Sequence, residues 1–594
     1  MEKLGKIQFS DPNGLYKRLE AGMFDPLEAY QLSISALHFL ISNVRIETED
    51  DCKAKDVLQL RPYPHQYRAL KKIWNDFNCR GIIADEVGLG KTLTAIIVIG
   101  SGIGGLSAGA SLAKAGKKVL MVERHDRPGG YAHAFRRKKY LFDSAVHLIG
   151  GCDPVKSDQG GLIDRLLRLL GVRDRCTFLR VNLFYSAVFP GFRLHAPLGI
   201  EEYTQAYIQH FPREEKGFGK LIQLCAQINQ EVRQFPTELS FWDVIRMPKR
   251  FPKLFRYHKA TLGKVIDEHL TDPRLKAVFA TLWPYLGLPP SRLSFLYWSV
   301  MLMSFIEEGA FYCQGSFQNM VNAFVEALQK NGGELLLNSR VRRILVKDRK
   351  VAGVILENGQ RINTPVVISN ADAMQTLQEL VGIEHLPSGF MHKVHRMKPS
   401  LSAFVVYMST DLDMQQIEAS HEMFFYRSWN HDETYQNILE GKPSGIVVTV
   451  PTLVDPSLAP PDEHLVIATT LIPYEIGASW RQEKAHYADL LLSEIEAVFP
   501  DLRDHITFAE GASPRTMERY TLNLTGAIYG WEVSPKQVGR NRLNHQTPIR
   551  GLYLSGHWTQ PGGGIYGVIV SGLQTAQTVL GYPNVGDFLR TLQS

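Results

Sequence analysis

The clearest hydrophobic pattern in this chain begins with four β-branched residues in a row, Ile96, Ile97, Val98 and Ile99. A short apolar run without polar breaks predicts a strand buried on both faces. Small residues and an Ala/Leu-rich stretch follow, predicting a closely packed helix, and then a second apolar run at 118–122 ends on Glu123. Gly100, Gly102 and Gly105 stand between the first run and the helix in the spacing G-x-G-x-x-G, with Gly104 in the same turn. The order strand, glycine turn, helix, strand, acid predicts a dinucleotide-binding βαβ unit. Gly100 permits the tight turn, Gly102 lets the backbone approach a pyrophosphate, and Gly105 lets the helix close on the strand. The phosphate would rest on the open N–H groups and positive dipole end of that helix. Glu123, 23 residues beyond Gly100, is placed to accept ribose hydroxyls.

Three further segments identify the dinucleotide. Arg127, Pro128, Gly129 and Gly130 set a glycine doublet just past the acid. Near the C-terminus an apolar strand at 551–555 ends on Gly556, and Gly562, Gly563 and Gly564 precede another small-residue helix. Between them, residues 332–373 read as a strand, a β-hairpin pair and another apolar strand. Together these resemble the FAD-binding fold of flavin amine oxidases and carotenoid desaturases, from about residue 96 to the end. Within that fold the chain is most similar to the phytoene dehydrogenase-related group, and there to carotenoid cis–trans isomerases and retinol saturases. The stretch FDSAVHLIGG at 142–151 is similar to the saturase and isomerase form of a motif in which desaturases usually carry Gly-Pro.

The resemblance implies an α/β fold: a Rossmann-like FAD-binding domain with an inserted α+β substrate domain. The FAD-binding pieces would be residues 96–150, 311–384 and 506–594, and the substrate domain 151–310 and 385–505. FAD is the implied cofactor, held by Gly100, Gly102, Gly104, Gly105, Glu123, Arg127, Gly129, Gly130, Val341, Gly556, Gly563 and Gly564. In this family the residue matching Val341 touches the adenine through its backbone. Two positions depart from the family pattern. His557 follows Gly556 where the family often has an aspartate holding the ribityl chain, and Cys313–Gln314–Gly315–Ser316 alters the usual Pro-x-Gly-Gly turn.

A different resemblance marks residues 1–95. RGIIADEVGLGKT at 80–92, with LQLRPYPHQYRALKKIW at 58–74, resembles the opening of Swi/Snf-type helicase-like ATPases. That resemblance implies Gln66 at an adenine, Lys91 at phosphates and Thr92 at magnesium. A phosphate loop needs the helix that follows its Lys-Thr, yet only Leu93, Thr94 and Ala95 precede the first strand. The acidic triplets at 267–269 and 462–464 do not read as the metal-binding box of a motor. The segment is expected to be a small, mainly helical extension, truncated relative to a motor and without an assigned activity.

Composition narrows the class. At 44% hydrophobic and 21% charged residues the chain is globular, and its length exceeds what one core serves. A net charge of +6 is compatible with an anionic membrane surface and does not call for nucleic acid. Six scattered cysteines without a C-x-x-C pair predict neither a zinc site nor a disulfide framework, and a cytoplasmic setting. No apolar run reaches the length of a bilayer span.

Two segments of the first insertion bear on substrate. LSFLYWSVMLMSFI at 293–306 suits either a core helix or the wall of a tunnel for a long hydrocarbon. Residues 246–264 interleave basic side chains with Phe251, Leu254, Phe255 and Tyr257, as an interfacial anchor on lipid does. The polar candidates near the flavin are His147, Tyr529, His557 and Tyr566, of which a histidine could assist proton transfer; no metal ligand set stands out. The expected function is an FAD-dependent oxidoreductase or isomerase on a long apolar polyene, with peripheral membrane contact. An amine-oxidase-type enzyme on a polar substrate and a helicase-like ATP- or DNA-binding module remain alternatives, and the oligomeric state is open.

Overall fold

Strand β1, Ile96–Ile99, pairs in parallel with β2, Val119–Val122, and both belong to a five-stranded sheet in a computed structural model describing residues 95–154, 161–235 and 241–593. The phosphate-loop-like stretch and the helical extension expected at 1–94 lie outside the described residues. Helix α1, Ile103–Lys114, joins the two strands as the sequence pattern predicts. The sheet is parallel throughout, in the order Leu552–Leu554, Val367–Ser369, β1, β2, Glu334–Leu336. Its members therefore come from three regions separated by hundreds of residues.

The period-two geometry of a strand divides β1 between two cores. Ile96 and Val98 face helices, packing with Leu106, Leu112 and Phe324. Ile97 and Ile99 face the other way, onto Ile344, Val354 and Leu377. In the helical layer, Phe317–Lys330 and Ile565–Leu580 each pack on α1. The opposite layer is an antiparallel meander of Val341–Lys347, Lys350–Leu356 and Arg361–Asn363, one strand more than the hairpin expected. Burial of both faces explains why β1 carries no polar residue.

The insertions, joined by the strand Ile506–Ala512 that the expected boundary at 505 had left to the third FAD-binding piece, build a seven-stranded mixed sheet in the order Ile506–Ala512, Ser402–Thr410, His464–Ile472, Ile446–Thr449, Glu422–Phe425, Leu183–Phe189, Phe192–Pro197. Phe404, Val406 and Met408 pack under the helix Trp480–Glu496 with Trp480, Tyr487 and Leu491. The alternate residues Ala403 and Val405 face a cavity. Helices between Ile200 and Ile306 roof that cavity around a separate core that includes Trp283 and Trp298. No helix among the described residues is long and apolar enough to cross a membrane.

Candidate cofactor and substrate site

The glycine turn works by removing side chains where three segments converge. Gly102 caps α1 in an extended conformation, and no side chain caps the helix or carries acid in its first turn. Its first N–H groups are therefore left for an anion. A Cβ on Gly104 would stand 2.7 Å from Asn370 Oδ1 and 2.9 Å from the Cα of Gly556. A Cβ on Gly102 would stand 2.8 Å from Asn370 Nδ2. Gly129 (φ 126°) and Gly130 (φ 57°) adopt backbone geometry that glycine favours, and Gly129 N–H donates to the Ser101 carbonyl at 3.0 Å. The doublet after Glu123 is thereby pinned against the first turn.

Glu123 does two things at once. Its Oε2 accepts from the N–H and Oγ of Ser101 at 2.8 and 2.7 Å, and its Oε1 accepts from the His125 N–H at 2.8 Å. A carboxylate has about four lone-pair sites, so capacity remains on the side that borders the cavity. Arg127 donates to the Ala134 carbonyl at 3.1 Å and borders the same space, as does Val341 at the head of the meander. Gly564 caps the helix Ile565–Leu580 with φ 80°, leaving that helix start open to the cavity as well.

One continuous cavity of about 1700 Å³ runs from these glycines to the face of the seven-stranded sheet. Single-ligand pockets occupy roughly 300–1,000 Å³, so there is room for a dinucleotide and a second molecule. The four polar candidates all border it, and no hydrogen bond joins any two of them. His147 leaves its Nδ1 buried without a partner, and burial, aided by the neighbouring His421, pushes it down to about 3. His557 is likewise pushed down to about 3, first by burial and then by the cation of Arg542. Both rings are neutral at ordinary pH. Tyr529 donates to the Pro284 carbonyl at 3.0 Å, and burial raises it above the ordinary phenol range. Tyr566 lies against Gly151 near Glu308 and is raised by burial too.

Three residues not singled out in the sequence prove central. Asn370, at the end of the strand Val367–Ser369, inserts its amide among Gly102, Gly104 and Gly556. Arg542 is fully buried and donates to the carbonyls of Thr559 (2.9 Å), Trp531 (3.1 Å), Tyr529 (3.3 Å) and His557. It holds the two backbone stretches that carry Tyr529 and His557. Glu422, on the sheet floor, is the third. Nothing local in the sequence marks any of the three.

The two insertion segments are also resolved. Helix Phe295–Ile306 is both core and wall: Phe295, Trp298 and Leu302 are buried, while Leu296, Val300 and Met301 line the cavity. The expected basic-aromatic anchor needs correction. Phe251, Leu254 and Tyr257 are buried because they pack inward from the short helix Pro252–Tyr257 and its start. Phe255 alone of the four is exposed, at 50%, and it borders the cavity beside His258 and Met247.

A family model for flavin-containing amine oxidoreductases matches residues 103–580. The chain belongs to that family. Its curated relatives include an all-trans-retinol 13,14-reductase from Danio rerio, 26% identical and covering 82% of this chain and 85% of that protein. A lycopene-forming phytoene desaturase from a Paracoccus strain is 27% identical over 82% of this chain and 97% of its own length. A chloroplastic prolycopene isomerase from an Oncidium hybrid is 27% identical, over 81% and 83%. Among solved structures, an oxidoreductase from Methanosarcina mazei superimposes with a TM-score of 0.56 at 17% identity, covering 82% of this chain and all of that one. A cyclohexylamine oxidase from Brevibacterium oxydans gives 0.54 at 15% identity, over 84% and 100%. The architecture is thus the flavin amine oxidase fold, and the protein is a flavin-containing oxidoreductase related to the carotenoid desaturases, carotenoid isomerases and retinol saturases.

The residues fit such a cofactor. Side-chain-free glycines at two helix starts, 102 and 564, face one cavity beside a carboxylate with spare acceptor sites. His557 offers no carboxylate to a ribityl hydroxyl. Its neutral imidazole supplies one donor and one acceptor instead.

Proposed function

We propose that this protein uses FAD to act on a long apolar polyene of carotenoid or retinoid type, by desaturation, saturation or cis–trans isomerisation. The observation that carries the reading is the chamber beyond the glycine cradle. Its walls are Leu296, Val300, Met301 and Phe305 from one helix and Ala403, Val405, Val447 and Leu471 from the sheet. Flavin supplies the electron chemistry when bound. The protein's part is to exclude water and hold a hydrocarbon in register.

The amine-oxidase alternative has less support. Lys393 is the one lysine among the described lining residues, and its helix, Ser388–His395, packs with the meander on the nucleotide side. The rim of Val232, Phe235, Met247 and Phe255 supports docking on a lipid surface, from which an insoluble substrate would enter. Arg250 and Arg256 flank that rim, stacked on Phe251 and Tyr257, where cations can meet anionic headgroups.

The test begins with the absorbance spectrum of purified protein and acid release of its cofactor. Bound FAD whose spectrum responds to a polyene, with product seen by chromatography, supports the reading. Reduction of the flavin by primary amines, with no response to any polyene, overturns it. Phe255→Asp should lower sedimentation with anionic vesicles while leaving bound FAD unchanged. Equal sedimentation would remove the membrane part of the proposal.

A further inference from the structure

Glu422 opens the strand Glu422–Phe425 and pairs across the sheet with Thr449. On the cavity side it shares its floor with Phe424, Val447 and Thr469, under Tyr285 and Tyr529. Only 1% of the residue is exposed. Its Oε1 accepts from the Thr449 hydroxyl at 2.8 Å, and its Oε2 is buried with no hydrogen-bond partner. Tyr285 faces the carboxyl without reaching hydrogen-bond geometry. No arginine or lysine is among the groups acting on it, and burial pushes it up to about 8. The group is therefore an uncharged carboxylic acid below that pH, with one oxygen idle on the chamber floor.

Buried polar atoms are nearly always satisfied, and one left over calls for a partner that arrives later. We infer that Glu422 is the docking point for an uncharged oxygen function, a hydroxyl or carbonyl, at the end of an otherwise hydrocarbon ligand. This deepens the polyene reading and rests on it. An undissociated carboxyl can donate one bond and accept another, which matches an alcohol or aldehyde. A carboxylate ligand would bring a buried charge with no cation to meet it. A hydrocarbon end would leave Oε2 idle. A site built to bond a hydroxyl discriminates strongly against the analogue lacking it.

The experiment uses the full-length, flavin-loaded protein and four probes with one C20 polyene skeleton: retinol, retinal, retinoic acid and the parent hydrocarbon. Binding is read from quenching of protein fluorescence. The alcohol and aldehyde should bind at least about tenfold more tightly than the hydrocarbon and the acid. In Glu422→Leu that preference should vanish while hydrocarbon affinity holds or rises. Glu422→Gln, which keeps a donor and an acceptor, should retain most of it. Equal binding of alcohol and hydrocarbon by the unaltered protein overturns the inference without any variant. So does a preference that survives Glu422→Leu, since an ordered water would then be serving Oε2. If none of the four binds and a primary amine does, the polyene reading falls and takes this one with it. If the hydrocarbon binds as well as the alcohol, the polyene reading stands and only the role of Glu422 is lost.

Discussion

Gly104→Ala is the sharpest probe of the cofactor cradle. The added methyl would stand 2.7 Å from Asn370 Oδ1, 2.9 Å from the Cα of Gly556 and 3.1 Å from its N. Ordinary contact needs roughly 3.5–4.0 Å, so the three segments must part by about an ångström. They cannot part freely. The Ser555 hydroxyl donates to the Gly104 carbonyl at 3.2 Å, and the Gly556 N–H donates to Ser571 Oγ at 2.9 Å. Forcing one extra carbon into such packing costs about 1–3 kcal/mol. The same displacement reshapes the anion-binding turn, so FAD affinity should fall by roughly 5- to 150-fold, at about 1.4 kcal/mol per decade. The assay is a fluorescence titration of deflavinated protein with FAD, beside a urea melt. Gly116→Ala is the control: its φ of 77° makes alanine strained, but nothing lies within 4 Å of the new methyl. It should cost about 1–2 kcal/mol of stability with FAD affinity intact. If Gly104→Ala loses stability like the control and binds FAD within twofold of the unaltered protein, the cradle has been misplaced.

Three further outcomes are expected. Glu422→Gln should gain stability over the unaltered protein as pH rises. The folded acid is raised from 4.5 to about 8, so its favourable contribution is complete below pH 4.5 and is lost between 4.5 and 8. The difference between the two melts should widen across that window by up to about 1.4 kcal/mol per pH unit and then level off; a gap that narrows toward pH 8 would contradict this. Arg542→Met should destabilise by about 3 kcal/mol or more in a urea melt, because four backbone carbonyls lose charge-assisted bonds in a buried place. A near-neutral result would mean that other donors replace it. Lys91→Ala, in the phosphate-loop-like stretch, should leave FAD content and flavin reduction unchanged, and a loss of either would tie that stretch to the flavin chemistry.

The cofactor elements were legible because their constraints are local. A glycine at a turn, a β-branched run and an acid at fixed spacing each leave a mark within a few residues, so β1, α1 and β2 fall where the pattern puts them. The substrate chamber was legible only in part. The Met-rich stretch at 293–306 could be wall or core because a helix has two faces, and this one uses both. Burial of Phe251, Leu254 and Tyr257 could not be read from their alternation with cations, since an inward-facing helix and a lipid-facing one share that composition. Asn370, Arg542 and Glu422 were invisible for a stronger reason. Each gains its role from groups far away in sequence: Asn370 from glycines 268 and 186 positions off, Arg542 from four carbonyls on two other loops, Glu422 from a strand pairing.

The strand order of the parallel sheet has a consequence for synthesis of the protein. β1 and β2 leave the ribosome first of the sheet, but the strands that flank them, Val367–Ser369 and Glu334–Leu336, follow more than 200 residues later, the edge strand Leu552–Leu554 later still, and the helix Ile565–Leu580 that packs on α1 comes almost last. Until residue 369 is made β1 has an unpaired edge, and until the last helix is made the sheet keeps an edge strand missing and an apolar face partly uncovered, a state prone to wrong pairing. Flavin cannot act as an early template, because Gly556 and the second helix start do not yet exist. Cofactor capture is therefore a late event that seals a nearly finished fold, and premature stop codons ahead of residue 552 should yield aggregates instead of a weakened flavoprotein.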